Sequence, residues 1–370
     1  MTKKILWLTD YPAVGSGYAT ISTPVCNGLA HAGYDVKMIA LANRGEEHWN
    51  DFSVIPVDNA QEAFAALHNM NILWKPDVLI VALDIPLQEQ VLARVEGLKL
   101  KYIAITPLEN GPLTPSWAQP LSMLDDVFFI SELGRNEAIK AGVSKAKHLN
   151  VVLDPKVWRP AVSTERDTVR KNLGFDVDDV VVLTVADNQE RKNLWGGMRI
   201  IENMKTAHPE MKIKYVLVTR ENSPYGHKLM ELAYSMGLQN NLNLYERGLS
   251  EKQLRLLYIA SDAYLQPSKA EGLGLPIIEA MMCGCKCVAT DTGAMHELLT
   301  GGAGWLVPAE YEFVDVWGNS LRSMIDVNKG AEILFNAIKS DLPERPDYLT
   351  QQVMVNQVIQ SIEEVTNAEK

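Results

Sequence analysis

Two successive series of strand-like segments, each interleaved with helix-like segments, constrain the fold of this chain more than any other feature. The strand-like runs of the first half are Ile5–Thr9, Asp35–Ala40, Val78–Leu83, Tyr102–Thr106 and Val127–Ile130. Amphipathic segments such as 21–32 and 87–96 separate them, and Gly33 is suited to end the first of these helices. Such alternation predicts a parallel sheet covered by helices on both faces.

The same alternation restarts in the second half. Its strand-like runs are Val180–Val185, Lys214–Thr219, Leu242–Tyr245, Ala263–Gln266 and Lys286–Ala289. With 370 residues, the chain is long enough for two α/β domains. Pro155 and Pro160 enclose a linker, so we predict an N-terminal domain over 1–160 and a C-terminal domain over 161–345. Residues 346–370 are predicted to form a C-terminal helix that packs back across the domains.

The composition excludes several classes of protein. Apolar residues make up 47% and charged residues 22%, as in ordinary globular proteins. There is no apolar run long enough to span a bilayer, so we expect no stable membrane insertion. Four cysteines without a disulfide spacing favour a reducing, cytoplasmic location. The net charge of −11 disfavours a large nonspecific nucleic-acid surface, which requires many Lys and Arg side chains.

The segment 267–284 predicts a strand, a glycine loop and a short helix. Pro276 suits the first turn of a helix and Gly284 suits the position just after its end, so the helix should span about 276–283. Its N-terminus presents backbone N–H groups, and Gly272 and Gly274 let the backbone approach an anion closely. A diphosphate fits such a site.

Two carboxylates flank this predicted phosphate site. Glu271 precedes the loop and Glu279 lies within the helix. Carboxylates would repel a phosphate that they touched, so they more reasonably accept hydrogen bonds from hydroxyl groups. A nucleotide sugar has hydroxyl groups on both sides of its diphosphate, on the hexose and on the ribose. The spacing therefore favours a nucleotide-sugar site.

The E-x7-E spacing from Glu271 to Glu279 resembles the signature of retaining GT-B enzymes in glycosyltransferase family 4, the glycosyl transferases group 1. Segments 248–268, 283–290 and 304–307 are also similar to that family. The resemblance implies a GT-B fold, in which two doubly wound Rossmann-like domains face each other across a cleft. It also implies that Glu271 holds the donor sugar and Glu279 the ribose. The N–H groups around Gly272, Leu273, Gly274 and Leu275 would then bind the phosphates.

A second match lies after the first strand of the second domain, over 185–194. It resembles the family's Arg and Lys pair that neutralises the donor diphosphate, and Lys192 occupies the lysine position. The family's arginine would fall at Asp187, so either Arg191 replaces it or neutralisation rests mainly on Lys192. We take Lys192, Glu271 and Arg191 as catalytic candidates and add Asn188 to the donor-binding set.

A third match is the glycine loop after the first strand, with Gly15 and Gly17, which is similar to the loop that lies against the donor phosphate in the family. A dinucleotide-binding loop is the alternative, and it would make the chain an oxidoreductase or a sugar-nucleotide epimerase. That reading lacks the third glycine, where Thr20 stands, and an acidic residue after the second strand, over 40–43.

The acceptor side is less constrained. Loops that follow the first-domain strands contain the candidates Asp84, Glu109 and Trp117. We expect a retaining, metal-independent glycosyltransferase that moves a sugar from a UDP- or GDP-linked donor to a hydroxyl acceptor, such as a glycan or a small molecule. No cofactor besides the nucleotide-sugar co-substrate is expected. A hydroxymethylated base in DNA is an alternative acceptor that the acidic charge disfavours.

Overall fold

The computed structural model describes residues 2–42, 50–98, 100–316, 318–343 and 350–367. The chain divides into two compact units. Among the described residues, unit 1 contains 2–153, 318–319 and 350–367, and unit 2 contains 154–316 and 320–343. The predicted boundary near 160 lies a few residues after the observed division.

Unit 1 begins with a series of strands and helices. Its strands are β1 (Lys4–Asp10), β2 (Asp35–Leu41), β3 (Ser53–Val57), β4 (Val78–Ala82), β5 (Lys101–Thr106), β6 (Asp126–Phe129) and β7 (Ala146–His148). Its helices are α1 (Gly17–His31), α2 (Ala60–Leu73), α3 (Ile85–Val95), α4 (Pro115–Met123) and α5 (Glu132–Lys140).

Unit 2 follows the same plan. Its strands are β8 (Asp179–Val185), β9 (Lys212–Thr219), β10 (Leu242–Glu246), β11 (Ala263–Gln266), β12 (Lys286–Thr290), β13 (Trp305–Val307), β14 (Ala309–Val314) and β15 (Leu321–Ile325). Its helices are α6 (Glu165–Asn172), α7 (Leu194–Ala207), α8 (Leu229–Ser235), α9 (Glu251–Ala260), α10 (Leu275–Cys283), α11 (Gly293–Leu299) and α12 (Val327–Lys339). The last helix, α13 (Gln351–Asn367), belongs to unit 1.

Each unit is built on a parallel sheet with the same winding. The order is β3-β2-β1-β4-β5-β6-β7 in unit 1 and β10-β9-β8-β11-β12-β13 in unit 2. Both orders reverse direction beside the first strand of the unit, which is the doubly wound, Rossmann-like arrangement. The predicted fold class of the two domains is therefore confirmed. Strands β14 and β15 form a separate antiparallel hairpin.

The central strands are apolar because both faces of each sheet are covered. All five residues of β4 are buried, as are the inner residues of β1 from Ile5 to Thr9. Helix α13 packs on α1, and the γ-methyl groups of Val355 lie 2.6 and 2.7 Å from the point where a Cβ on Gly28 would stand. None of the helices in the described ranges is long and apolar enough to cross a membrane.

Sequence reasoning missed the edge strands β3, β7 and β13 and the separate hairpin of β14 and β15. Strand β3 has partly exposed residues and contains Pro56, which only an edge strand tolerates. Strands β7 and β13 have three residues each, too few for a periodicity to be visible. The hairpin of β14 and β15 carries polar residues among its apolar ones. The predicted separate segment 346–370 contains α13, which is part of unit 1.

Candidate active site

The carboxyl end of the unit 2 sheet brings together the residues that the sequence motifs single out. Strands β8 and β11 are neighbours at the point where the strand order reverses. Loop 186–193 follows β8, and loop 267–274 follows β11. In doubly wound sheets ligands bind at this position, because adjacent loops diverge and leave a crevice.

Glu271 is the centre of a buried ionic cluster. Its side chain is 7% exposed, and its two carboxylate oxygens accept hydrogen bonds from Lys192 Nζ at 2.8 and 2.9 Å. Arg191 Nη1 donates to Glu271 Oε2 at 3.0 Å and to the Ala270 carbonyl at 2.6 Å. Gln266 Nε2 donates to Glu271 Oε1 at 2.8 Å. The three catalytic candidates therefore lie together, with Arg191 and Lys192 on the same carboxylate.

The electrostatics of this cluster keep Glu271 ionised. Burial by itself would raise the pKa of a carboxyl group, but Lys192 and Arg191 lower the pKa of Glu271 to about 2. The carboxylate in turn leaves the two cations with one net positive charge between them. This excess charge lies beside the start of α10, where a ligand anion would be favoured.

Two hydrogen bonds, one from a backbone N–H and one from a side chain, hold the two loops together. Lys269 N–H donates to the Arg191 carbonyl at 2.9 Å, and Asn193 Nδ2 donates to the Pro267 carbonyl at 3.1 Å. Asn193 adopts a left-handed conformation with φ 50°, and its side-chain oxygen accepts from Gly196 N–H at the start of α7. Sequence reasoning did not select Asn193 or Gln266, since an amide side chain in a loop carries no distinctive spacing.

The glycine loop leads directly into α10. Gly274 is the N-cap with φ 91°, a left-handed conformation that favours glycine, and Leu275 and Pro276 form the first turn. The first N–H groups of a helix have no partner inside the helix, so they are available to an anion. Gly272, Leu273 and Gly274 are buried, and Leu275 is half-buried. Helix α10 begins one residue before the predicted position.

Glu279 lies in α10 and is held by a tyrosine that sequence reasoning missed. Tyr258 Oη, on the buried side of α9, donates to Glu279 Oε2 at 2.7 Å. Burial raises the pKa of Glu279 to about 7, with a further contribution from Glu251, although the Tyr258 hydrogen bond works against this rise. The carboxyl group is half-buried at the surface of the unit, so a hydroxyl group can reach it.

Asn188 is placed differently from the other donor-binding candidates. Its side chain is fully buried, its Nδ2 donates to the carbonyls of Glu221 and His227, and its Oδ1 accepts from His227 N–H at 2.9 Å. Asn188 therefore secures the loop after β9. Its direct contact with a donor stays a prediction.

Asp187 stands where the family resemblance places an arginine, and it binds arginines from two neighbouring strands. Arg220 donates through Nε at 2.7 Å to Oδ1 and through Nη2 to Oδ2, and Arg247 Nη1 lies 3.3 Å from Oδ2. Burial opposes ionisation of Asp187, but these two arginines hold its pKa below the ordinary value. Arg191, by contrast, is engaged with Glu271.

The unit 1 candidates lie at the carboxyl end of their own sheet. Gly15 has φ 65° and Gly17 begins α1. Tyr18 Oη donates to Asp84, which caps α3. Burial raises the pKa of Tyr18 well above its ordinary value, and the carboxylates of Asp84, Asp10 and Glu109 add to the rise. Asp84 and Glu109 therefore face the same tyrosine.

Trp117, the third acceptor-side candidate, is half-buried in unit 1. It contacts the hydrophobic core of the unit, and a Cβ on Gly318 would lie 2.1 Å from its ring. The close approach of Gly318 reduces the area of the indole ring that a ligand could stack on. Its role in acceptor binding stays a prediction.

One Asp-x-Asp pair is present, Asp176 and Asp178, but it precedes β8 and so lies at the opposite end of the sheet from Glu271. Within the described ranges no group of three His, Cys, Asp or Glu side chains is arranged to hold a metal ion. Metal independence stays a prediction.

Comparison with known proteins finds a family match over part of the chain. Residues 165–332 match the family model described as glycosyl transferases group 1. The chain is 28% identical over 174 residues to the D-inositol 3-phosphate glycosyltransferase of Rhodococcus erythropolis, which covers 45% of the chain and 38% of that relative. It is 24% identical over 231 residues to the O-antigen chain mannosyltransferase RfbU of Salmonella typhimurium, 59% of the chain and 61% of that relative. The chain thus spans less than two thirds of either relative.

The solved structure of Anabaena HepE in complex with UDP and glucose superposes on the chain with a TM-score of 0.70 at 16% identity, over 98% of this chain and all of HepE. The two doubly wound, Rossmann-like units have the GT-B type of fold. Residues 165–332, nearly all of them in unit 2, are similar to the glycosyl transferases group 1 family. The alternatives, an oxidoreductase or an epimerase that binds a dinucleotide, are not favoured.

Proposed function

We propose that the protein is a glycosyltransferase that moves a sugar from a UDP- or GDP-linked donor to a hydroxyl acceptor with retention of anomeric configuration. The observation that carries the proposal is the cluster of Glu271, Lys192 and Arg191 beside the start of α10. It combines half-buried cations, helix N–H groups and a buried carboxylate at the crevice of a doubly wound sheet. That combination suits a ligand with both phosphates and hydroxyls.

In this proposal the chain stabilises the leaving diphosphate. The bond between the anomeric carbon and the phosphate oxygen breaks as the acceptor oxygen bonds to the same face of the sugar, and the acceptor proton passes to a phosphate oxygen. Lys192, Arg191 and the N–H groups of Gly274 and Leu275 would stabilise the charge that develops on the phosphate. Glu279 would accept hydrogen bonds from the ribose. No metal and no protein nucleophile takes part.

The acceptor is assigned to unit 1, where Asp84 and Glu109 face Tyr18. Carboxylates at the end of a sheet can accept hydrogen bonds from acceptor hydroxyls. A glycan or small-molecule acceptor is favoured over DNA, since the net charge of −11 opposes association with a polyanion.

Calorimetric titration with UDP, GDP, ADP and their sugars tests the donor site. We expect one nucleotide to bind the wild-type protein and to bind Glu279→Ala and Lys192→Gln about tenfold or more weakly. Lys205→Gln is the matched control, because Lys205 lies on α7 and bonds to Gly237 and Asn241 instead. If no nucleotide binds, or if Lys192→Gln binds like Lys205→Gln, the donor site is wrong.

Two further measurements test the chemistry. Proton NMR of the product should show the same anomeric configuration as the donor, and an inverted product would refute retention. Activity should persist after treatment with a chelator, whereas a loss that Mn²⁺ restores would refute metal independence.

A further inference from the structure

The turn after β8 carries a second ionic cluster that the family resemblance does not explain. Asp187 binds Arg220, which directly follows β9, and Arg247, which directly follows β10. Strands β10, β9 and β8 are neighbours in the sheet, so the two arginines lie at the same edge as Lys192 and Glu271. The carboxylate is 11% exposed, while the side chains of Arg220 and Arg247 are 40% and 38% exposed. Asp187 thus holds the two arginines from the buried side, and part of each arginine side chain is accessible to solvent.

Several contacts fix this arrangement. Arg247 N–H donates to the Thr219 carbonyl at 3.1 Å, and Gln189 Nε2 donates to Asp187 Oδ2 at 3.0 Å. The loop that follows Arg220 is secured by Asn188, so closely that a Cβ on Gly226 would lie 2.2 Å from Asn188 Oδ1. Arg220 uses Nε and Nη2 toward Asp187, which leaves Nη1 on the far side of its guanidinium.

Charge balance indicates what this second cluster binds. Glu271 offsets one of the two charges of Arg191 and Lys192, so these three side chains together carry less positive charge than a diphosphate carries negative charge. Asp187 likewise offsets one of the two charges of Arg220 and Arg247, which leaves a second net positive charge. The exposed carboxylate of Glu246 also faces Arg220, but solvent screens it.

We propose that Arg220 and Arg247, positioned by Asp187, bind the diphosphate of the donor in place of the arginine that Asp187 replaces. Guanidinium groups suit this task because their planar donors match phosphate oxygens. The inference rests on the proposed function, and it makes Asp187 a positioning residue instead of a lost phosphate ligand.

Calorimetric titration with inorganic pyrophosphate tests the arginines without knowledge of the nucleotide. We expect the wild-type protein to bind pyrophosphate and Arg220→Gln and Arg247→Gln each to bind it about tenfold more weakly. Arg199→Gln is the matched control, since Arg199 pairs with Glu202 along α7, and it should bind as the wild type does. Thermal unfolding of each variant establishes that it is folded.

The Asp187→Asn variant distinguishes the positioning of the two arginines from the purely electrostatic effect of the carboxylate. This substitution makes the edge more positive, so electrostatics alone would tighten pyrophosphate binding. Anchoring requires the opposite, because the freed arginines lose their fixed positions. We expect weaker binding, and equal or tighter binding would overturn the positioning role.

The outcomes distinguish this inference from the proposed function. Arginine variants that bind pyrophosphate like Arg199→Gln, or a wild-type protein that does not bind it, would overturn the inference. If a nucleoside diphosphate still binds the wild type and depends on Lys192, the proposed function remains. If no nucleotide binds, the proposed function itself fails.

Discussion

At the scale of single residues, burial raises the pKa of both carboxylates of the E-x7-E motif, but their neighbours give the two groups opposite net shifts. Glu271 has two cations beside it, and its pKa falls to about 2. Glu279 has a single neutral hydrogen-bond donor, Tyr258, and its pKa rises to about 7. One carboxylate is therefore always charged near neutral pH, and the other is near its titration point.

The lowered pKa of Glu271 predicts a pH-dependent contribution to stability. The shift from 4.5 to about 2 corresponds to about 3 kcal/mol. Because the pKa is lower in the folded state, this contribution is complete above pH 4.5 and is lost as the pH falls towards 2. Denaturant unfolding should show Glu271→Gln destabilised by about that amount at pH 7, with a smaller difference at pH 3. A difference that stays constant with pH would contradict this explanation.

The raised pKa of Glu279 predicts pH-dependent nucleotide binding. A ribose hydroxyl donates best to the ionised carboxylate, so affinity should rise as the pH increases through about 7. Calorimetry from pH 6 to 8 measures this rise, and Glu279→Gln provides the control because its amide does not titrate. If the variant keeps the same pH profile, the rise comes from the phosphate or from another group.

At the scale of elements, α10 has a left-handed glycine at each end. Gly274 precedes the first turn with φ 91°, and Gly284 follows the last turn with φ 90°. The two positions have similar backbone strain but differ in function, since only the N-terminal end presents N–H groups to an anion.

This symmetry provides a matched pair of variants. Gly274→Ala and Gly284→Ala should each destabilise the protein by roughly 1–2 kcal/mol, because an L-residue is strained at positive φ. A Cβ at position 274 would also lie 3.3 Å from Ile277 Cδ1. We expect only Gly274→Ala to weaken nucleotide binding as well. Equal loss of affinity in both variants would mean that the helix end is not part of the site.

At the scale of the whole molecule, the chain leaves unit 1, forms unit 2 and returns to unit 1 with α13. The buried face of α13 includes Met354, Val355, Val358 and Ile362. Lys3 Nζ, at the start of the chain, pairs with Glu363 at 2.5 Å. The first and last parts of the sequence therefore stabilise the same unit.

The contact between Gly28 and Val355 makes this dependence testable. Gly28→Ala alone should destabilise the protein by about 1–3 kcal/mol, since the new methyl group would overlap both γ-methyl groups of Val355. In a Val355→Ala background both γ-methyl overlaps are removed and only the Cβ contact at 3.2 Å remains, so the helix preference of alanine should make the same substitution close to neutral. Denaturant unfolding of the four proteins measures the cycle. Additive effects would contradict direct packing of α13 on α1.

The sequence by itself determined the fold class, the long central strands and the glycine loop with its two glutamates. These features follow from periodicity and from residue types with special backbone properties, such as Pro276, whose φ is restricted, and Gly284, which tolerates a positive φ. It also indicated that Arg191 and Lys192 are the cations of the site and that Asp187 departs from the family pattern. The sequence did not indicate which side chains would form ion pairs with one another.

Only the tertiary structure decided the partners. Arg191 and Lys192 form ion pairs with Glu271, and Arg220 and Arg247 form ion pairs with Asp187. These residues meet because parallel strands that are far apart in sequence end at the same edge of the sheet. The pairing of α13 with α1 has the same origin. Ion pairs and helix contacts of this kind depend on strand order, which short-range sequence patterns do not encode.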